Sequence, residues 1–367
     1  MKKLFFTVTN DLTYDQRMIR ICSSLARSGY QVQLVGREKS NSQPLPNLPF
    51  EQVRLRCFWK KGKLFYLEYN LRLFFYLLRK PLDGLCSIDL DTLLAGFLIH
   101  RIRGKPLIYD AHEYFTEVPE LVDRPFTQRI WESLARCIIP RIQHAYTVGP
   151  ELARLFEQRY GTPFGVIRNL PFSRKQTPLL PKQAPPVILY QGALNVGRGL
   201  EESILAMKEV NHAELWLAGE GDLSDHLRDQ VRREKLEAKV KFLGFVLPGD
   251  LPALTDRATI GLNLLQNRGL NYYFSLANKT FDYIQAGIPA LNPAFPEYIR
   301  LQKEFDCLIL VEGLSPGPIA SLLTSLLEDA ARREIIRKKC RKAAAELCWE
   351  KEEQKLIGLY DAIFKPS

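Results

Sequence analysis

Residues 4–35, LFFTVTNDLTYDQRMIRICSSLARSGYQVQLV, decide the fold class. Leu4–Val8 is a short apolar run that ends in polar Thr9, Asn10 and Asp11. A helical pattern follows, with Met18, Ile19, Cys22, Leu25 and Ala26 on one face. Gly29 stops it, and Val32–Val35 starts a second strand. Strand, helix, strand is a βαβ unit, which requires a parallel sheet and a right-handed crossover. The alternation continues through strands at Leu85–Ile88, Leu107–Tyr109 and Ala145–Val148, with helices at Thr92–His100 and Glu151–Tyr160. This pattern predicts a doubly wound α/β domain.

Residues 168–186, RNLPFSRKQTPLLPKQAPP, hold five prolines and few periodic apolar residues, and read as a linker. After it, strands are predicted at Val187–Tyr190, Glu214–Ala218, Val240–Leu243, Ile260–Leu264, Pro289–Asn292 and Cys307–Val311, and the chain is helical from Ile319 almost to its end. A chain of 367 residues has room for about two domains. The expected division is a Rossmann-like domain over 1–168, a linker over 169–186, a second Rossmann-like domain over 187–348 and a last helix over 349–367. Open parallel sheets bind ligands beyond the carboxyl ends of their strands. Two such domains facing each other predict an interdomain cleft, with site residues just after strands.

Bulk composition narrows the partners. Hydrophobic residues make up 46% and charged residues 25%, which suits a folded globular chain. The formal charge of +10 favours anionic partners, but no long basic tract or recognition motif points to nucleic acid. The seven cysteines include no C-x-x-C pair, and the five histidines lack metal-ligand spacing. Free thiols in a reducing, cytoplasmic compartment are expected. The apolar run at the N-terminus is too short for a signal peptide, and Leu64–Leu78 is too short and too interrupted to cross a bilayer.

Ser275–Pro289, SLANKTFDYIQAGIP, carries the strongest chemical signal. It reads as a helix from about Asn278 to Gly287, with Lys279 in its first turn. A lysine there opposes the helix dipole unless an anion sits at the same end. A diphosphate would gather free backbone N–H groups, the dipole and the ammonium on one dianion. Asp282, one turn on, is placed to accept ribose hydroxyls. Tyr190–Leu200, YQGALNVGRGL, is a glycine-rich loop after a strand, where Gly192, Gly197 and Gly199 allow close approach of backbone to phosphate. Arg198 and Lys279 together would clamp a pyrophosphate without a metal.

These segments resemble the family 4 (group 1) glycosyltransferases of GT-B fold. One branch of that family carries S-L-x-N-K-x-F-E-Y-x-x-A-G, which Ser275, Leu276, Asn278, Lys279, Phe281, Tyr283, Ala286 and Gly287 match. Of the family's paired acids, the second is Asp282 here, and the first, which in the family contacts the donor sugar, is replaced by Phe274. Arg198 takes the place of the family's diphosphate-binding lysine, and the family's arginine falls at Ala193. WLAGEGD at Trp216–Asp222 and VKFLGFV at Val240–Val246 resemble two further family segments. The resemblance implies an open wall at Gly219 and nucleobase reading at Phe245 and Val246. Ser275 and Asn278 join the donor site on the same ground.

LIYDAHEYFTE at Leu107–Glu117 is similar to the family's acceptor-side histidine region. The resemblance gives His112 a contact to the transferred sugar, with Asp110 or Glu113 orienting it. Asp89 and Asp91, after another strand, would bind acceptor hydroxyls. The implied catalytic set is His112, Arg198 and Lys279. The implied reaction is sugar transfer from a UDP- or GDP-linked donor to a saccharide or lipid-linked saccharide, with retention, in cell-surface polysaccharide or glycolipid synthesis. No carboxylate stands out as a nucleophile, and neither metal nor other cofactor is expected. A nucleotide-sugar 2-epimerase of the same fold is one alternative. A catalytically inactive protein that binds sugar nucleotide or membrane is another. Residues 58–80 interleave aromatic and basic side chains, which suits an acidic membrane surface and a peripheral location at its cytoplasmic face, and suits a core helix with basic ends almost as well.

Overall fold

The computed structural model describes residues 1–174 and 185–365, so residues 175–184 of the expected linker and the last two residues lie outside the described residues. Two compact units are present: Met1–Asn169 with Glu352–Ser367, and Leu170–Lys351.

The first unit runs β1 (Lys3–Thr7), α1 (Gln16–Arg27), β2 (Gln31–Glu38), β3 (Glu51–Arg56), α2 (Gly62–Leu78), β4 (Gly84–Ile88), α3 (Asp89–Arg103), β5 (Leu107–Ala111), α4 (Pro119–Val122), α5 (Pro125–Ile138), β6 (His144–Thr147), α6 (Pro150–Tyr160) and β7 (Gly165–Val166). Among the described residues its sheet has seven strands in the order β3-β2-β1-β4-β5-β6-β7, and the pairs are parallel. β4 and β5 are buried along their whole length, as strands covered by helices on both faces must be. Asp15 caps α1, its carboxylate accepting from the Met18 N–H at 2.9 Å. The half-buried edge strand β3 was not expected from sequence, because its alternation, EQVRLR, is mostly polar.

The second unit runs β8 (Val187–Gln191), α7 (Leu200–Ala206), β9 (Glu214–Ala218), α8 (Ser224–Arg233), β10 (Val240–Gly244), α9 (Leu251–Arg257), β11 (Ile260–Leu262), α10 (Leu270–Tyr273), α11 (Asn278–Ala286), β12 (Ala290–Pro293), α12 (Pro296–Phe305), β13 (Ile309–Val311), α13 (Pro316–Glu328) and α14 (Ala330–Glu346). Its parallel strands follow the order β10-β9-β8-β11-β12-β13. Both sheets therefore reverse strand order beside their first strand, at β1/β4 and at β8/β11, the switch points where such sheets leave a crevice.

The last helix, α15 (Trp349–Phe364), begins in the second unit and ends in the first. Tyr360 stacks on Phe6 at 5.9 Å, Phe364 lies edge-on to Tyr30 at 6.2 Å, and the Tyr30 hydroxyl donates to Asp361 at 2.6 Å. Trp349 is fully buried, and its N–H donates to the Pro171 carbonyl at 2.8 Å, within the second unit. The aromatic contacts with the first sheet are thus made by Tyr360 and Phe364. Five of the seven cysteines are buried, and all seven are free thiols.

Candidate functional site

In the second unit, β8 ends at Gln191 and turns at Gly192. Gly192 donates its N–H to the Ala218 carbonyl at 2.9 Å, and a Cβ on Gly219 would lie 1.9 Å from the Gly192 carbonyl oxygen. The open wall expected at Gly219 is therefore a packing requirement: only a glycine lets these two loops meet. The loop continues to Arg198, whose guanidinium lies over the Tyr272 ring at 5.0 Å. Arg198 Nε is buried without a hydrogen-bond partner.

Lys279 enters from the first turn of α11. It is buried, at 8% exposure, and its ammonium lies 3.7 Å from the centre of the Tyr190 ring. No ion pair holds it among the described residues. Burial pushes its pKa well below the usual lysine value, the Arg198 charge pushes the same way, and Asp282 pulls back weakly. The charge of Arg198 also reaches Tyr190. Lys279 thus lies on the Tyr190 ring and Arg198 on the Tyr272 ring, and the two charges repel each other. Arg198 and Lys279, 81 positions apart in the sequence, lie near enough for the charge of the arginine to act on the lysine.

The neighbouring residues fall into place around this pair. Asp282 accepts from Gln191 Nε2 at 2.8 Å, and Gln191 Oε1 accepts from Thr255 Oγ1 at 2.9 Å. That chain fixes the amide orientation and aims the carboxylate. Ser275 spends its hydroxyl on the Tyr272 carbonyl at 2.8 Å, closing the loop before α11. Asn278 is exposed at the helix start. Phe274 sits against Tyr273, which also contacts Phe295, so the position of the missing acid is an aromatic cluster. Phe245 is 61% exposed just past β10, while Val246 packs against the second unit's core. Sequence reading missed Tyr190, Gln191 and Tyr272. The first two directly precede Gly192, so a search of the strand end itself would have found them.

In the first unit, candidate residues gather at the ends of β1, β4 and β5. Asp89 has a left-handed backbone, with φ of 55°, uncommon for a residue with a side chain. Its two oxygens meet His112: Oδ2 lies 2.8 Å from Nδ1, and Oδ1 accepts the backbone N–H at 3.2 Å. Asp91 accepts from the Thr9 hydroxyl. Asp89 and Asp91 lie in the first turn of α3. Burial and the charge of Asp89 push the Asp91 carboxyl up to about 7, against the Thr9 hydrogen bond and the His112 charge.

Asp110 requires a correction. The sequence placed it beyond the strand, free to orient a sugar, but it lies within β5 and is fully buried. Arg17 Nη2 donates to its Oδ1 at 2.8 Å and Arg17 Nε to its Oδ2 at 3.3 Å. Both carboxylate oxygens are engaged inside the core, so Asp110 belongs to the scaffold.

The His112 side chain is 42% exposed; partial desolvation opposes its protonation, yet Asp89 first, then Glu113 and Asp110, outweigh it and push the imidazole up to about 10. The sign follows: a raised histidine stabilises fully below its unfolded value of about 6.5, and that stabilisation is lost as pH rises through about 10. Asp89→Asn is expected to bring the His112 titration back toward the ordinary histidine range, read from the ring carbon shifts in an NMR titration. An unchanged curve would remove Asp89 as the cause. Asp89, His112 and Glu113 bring ligand atoms within 4.8 Å of one another. A metal there would have to displace the proton that Asp89 holds on the imidazole.

Comparison with known proteins follows the same division. Residues 14–172 match the Glycosyl transferase 4-like domain, and residues 185–329 match the Glycosyl transferases group 1 family. The chain is similar in structure to sucrose-phosphate synthase from Thermosynechococcus elongatus, with a TM-score of 0.83 at 15% identity and 100% of both chains covered. Anabaena HepE, solved with UDP and glucose, gives a TM-score of 0.77 at 16% identity, covering 99% of this chain and 100% of its own. WaaG, a glycosyltransferase involved in lipopolysaccharide biosynthesis, gives 0.75 at 16% identity, covering 98% and 99%. In sequence, an uncharacterized glycosyltransferase of Methanocaldococcus jannaschii is 26% identical over 178 residues, 47% of this chain and 44% of that protein. Glycogen synthase of Mycobacterium tuberculosis is 30% identical over 114 residues, 30% of this chain and 26% of that protein. The chain thus spans less than half the length of these two curated relatives.

Two Rossmann-like domains with parallel sheets, in the company of these structures, define the two-domain GT-B fold. The chain belongs to the group 1 (family 4) glycosyltransferases.

Proposed function

We propose that this protein transfers a sugar, with retention, from a UDP- or GDP-linked donor to a saccharide or lipid-linked saccharide in cell-surface polysaccharide or glycolipid synthesis. One observation carries the reading: Lys279, a buried ammonium without an ion pair among the described residues, lies beside Arg198 at the carboxyl end of β8. Such a pair calls for a dianion. A departing diphosphate supplies it, and its growing charge is the largest electrostatic demand of the transition state. Lys279 and Arg198 meet that demand without a metal or other cofactor. Asp282, aimed by Gln191, accepts the ribose hydroxyls, and Gly192, Gly197 and Gly219 let backbone approach the donor. Ser275 and Asn278 shape the loop at the helix end, while Phe245 and Val246 border the base.

On the first unit, Asp89, Asp91, Glu113 and His112 take the acceptor and the transferred sugar. Structures of the same fold solved with UDP and with UDP-glucose support a nucleotide donor. A cytoplasmic, peripheral location belongs to this reading; no described helix is long and apolar enough to cross a membrane. A thermal-shift panel of nucleotide sugars tests it, because a bound donor stabilises the folded state by mass action. One donor is expected to raise the midpoint, and its nucleoside diphosphate should then be released faster when acceptor is added. A panel in which neither UDP, GDP nor any of their sugars shifts the midpoint would sink the proposal.

A further inference from the structure

Helix α11 starts without a cap of its own. Its N-cap residue is Ala277, whose side chain has no oxygen to offer. The Ala277 N–H is met from a distant helix instead: it donates to the hydroxyl of Tyr298, on α12, at 2.9 Å. Tyr298 is fully buried, and Asn263 Nδ2 also donates to its hydroxyl, at 3.0 Å. Burial pushes the pKa of that hydroxyl up, against its hydrogen bonds and the charge of Arg198, so it keeps its proton. With two donors already directed at the oxygen, the proton goes to the Ser275 hydroxyl, the other side chain bonded to it. Ser275 in turn donates to the Tyr272 carbonyl at 2.8 Å.

One oxygen therefore touches the supports of both cations. Tyr272 carries the Arg198 guanidinium on its ring, and Ala277 opens the turn that holds Lys279. Beneath α11 the network closes on itself. Asn263 Nδ2 lies 3.0 Å from Thr280 Oγ1 and 3.2 Å from Asn292 Oδ1, and Thr280 Oγ1 donates to Asn292 Oδ1 at 2.7 Å. Thr280 sits next to Lys279 on α11, Asn263 follows β11, Asn292 lies in β12 and Tyr298 on α12, and all four are fully buried. Polar side chains from four elements thus meet inside an apolar core, where such groups cost stability unless their bonds are made. Apolar packing would attach α11 to the sheet; directional bonds also fix its register.

We propose that Tyr298 is a positioning residue of the donor site: it sets the spacing between the seats of Arg198 and Lys279, while Asn263, Thr280 and Asn292 hold it and α11 in register. This rests on the reading of that site as a diphosphate clamp. Two cations that repel each other separate unless their supports are held. An anion that bridges both gains most when their separation already matches it. Buried throughout, Tyr298 acts through Tyr272 on one side and through α11 on the other.

Calorimetry of the full chain with UDP, GDP and inorganic pyrophosphate is the test. Tyr298→Phe keeps the ring and removes the anchoring oxygen. It should bind the preferred nucleoside diphosphate roughly tenfold more weakly, and pyrophosphate by the same factor, since only the clamp is altered. Thr280→Val should weaken both several-fold, and Thr280→Ser, which restores the hydroxyl, should regain most of that loss. Leu326→Ala controls for mere loosening, because Leu326 is fully buried in the same core near the end of α13. That variant should lower the unfolding midpoint and bind as wild type does. Tyr298→Phe and Thr280→Val that bind as tightly as wild type would overturn the proposal. So would an equal loss in Leu326→Ala, or a loss confined to the nucleoside diphosphate. Wild-type protein that binds neither UDP nor GDP would remove the donor reading, and the proposal with it.

Discussion

Lys279→Ala is expected to weaken UDP or GDP binding by more than tenfold, about 1.4 kcal/mol or more. The reason is the environment of the ammonium. It is nearly withdrawn from water, lies on the Tyr190 ring and feels the repulsion of Arg198. Burial and repulsion make the free site unfavourable for a cation, and the charge of an arriving diphosphate offsets both. The lowered pKa adds a signed expectation. A depressed lysine takes up a proton when an anion binds beside it, so affinity should fall as pH rises through the bound-state value. Calorimetry in two buffers of different ionisation enthalpy would read that uptake, and the alanine variant should lack it. Tyr190→Phe keeps the ring and should bind normally. Tyr190→Leu removes the ring and should bind several-fold more weakly. Equal affinity for wild type and Lys279→Ala, measured by calorimetry, would take Lys279 out of the site.

Arg17→Met should destabilise the first unit by about 3–5 kcal/mol, because it strands the Asp110 carboxylate in the core. Burial already pushes the Asp110 carboxyl up, and Arg17 opposes that push by its charge and its hydrogen bonds. Without Arg17 only the more remote charge of His112 opposes the push, and the folded protein holds a proton on Asp110. Its folded pKa then lies further above the unfolded value of about 3.9. For a raised acid, stability falls as pH climbs from the unfolded toward the folded value. The deficit of Arg17→Met should therefore be smaller at acid than at alkaline pH, as denaturant unfolding can measure. Arg17→Met with Asp110→Leu should recover most of it, since an apolar pair needs no partner. A deficit that is the same at both pH extremes would mean Asp110 is not the stranded group.

Much of the fold was legible because burial imposes local periods. Strands covered on both faces are short apolar runs, and helices between them repeat their apolar residues every three or four positions. The strand expected at Glu214–Ala218 is found residue for residue, and the helix expected over 349–367 runs from Trp349 to Phe364. β3 escaped because an edge strand buries little and its sequence has little to show. In the second unit, the misfit of a lysine at the start of α11 was visible in the chain itself, since the helix dipole is a local property.

The sequence alone determined the alternation of strand and helix, the presence of two such regions and the positions of the cationic loop ends, all of which depend on residues close together in the chain. Tertiary structure alone decided which side chains meet. Arg17 and Asp110 are 93 residues apart, and only the seating of α1 against β5 brings that pair into the core and takes the aspartate from the acceptor site. The tyrosine seats of Lys279 and Arg198 were decided in the same way, as was the face of α2 that packs inward through Phe65, Tyr69, Leu73 and Leu77 while Leu67, Leu71 and Phe75 stay about half exposed. A helix that is apolar on both sides does not reveal which side the sheet will cover, because that choice is made by packing between distant segments.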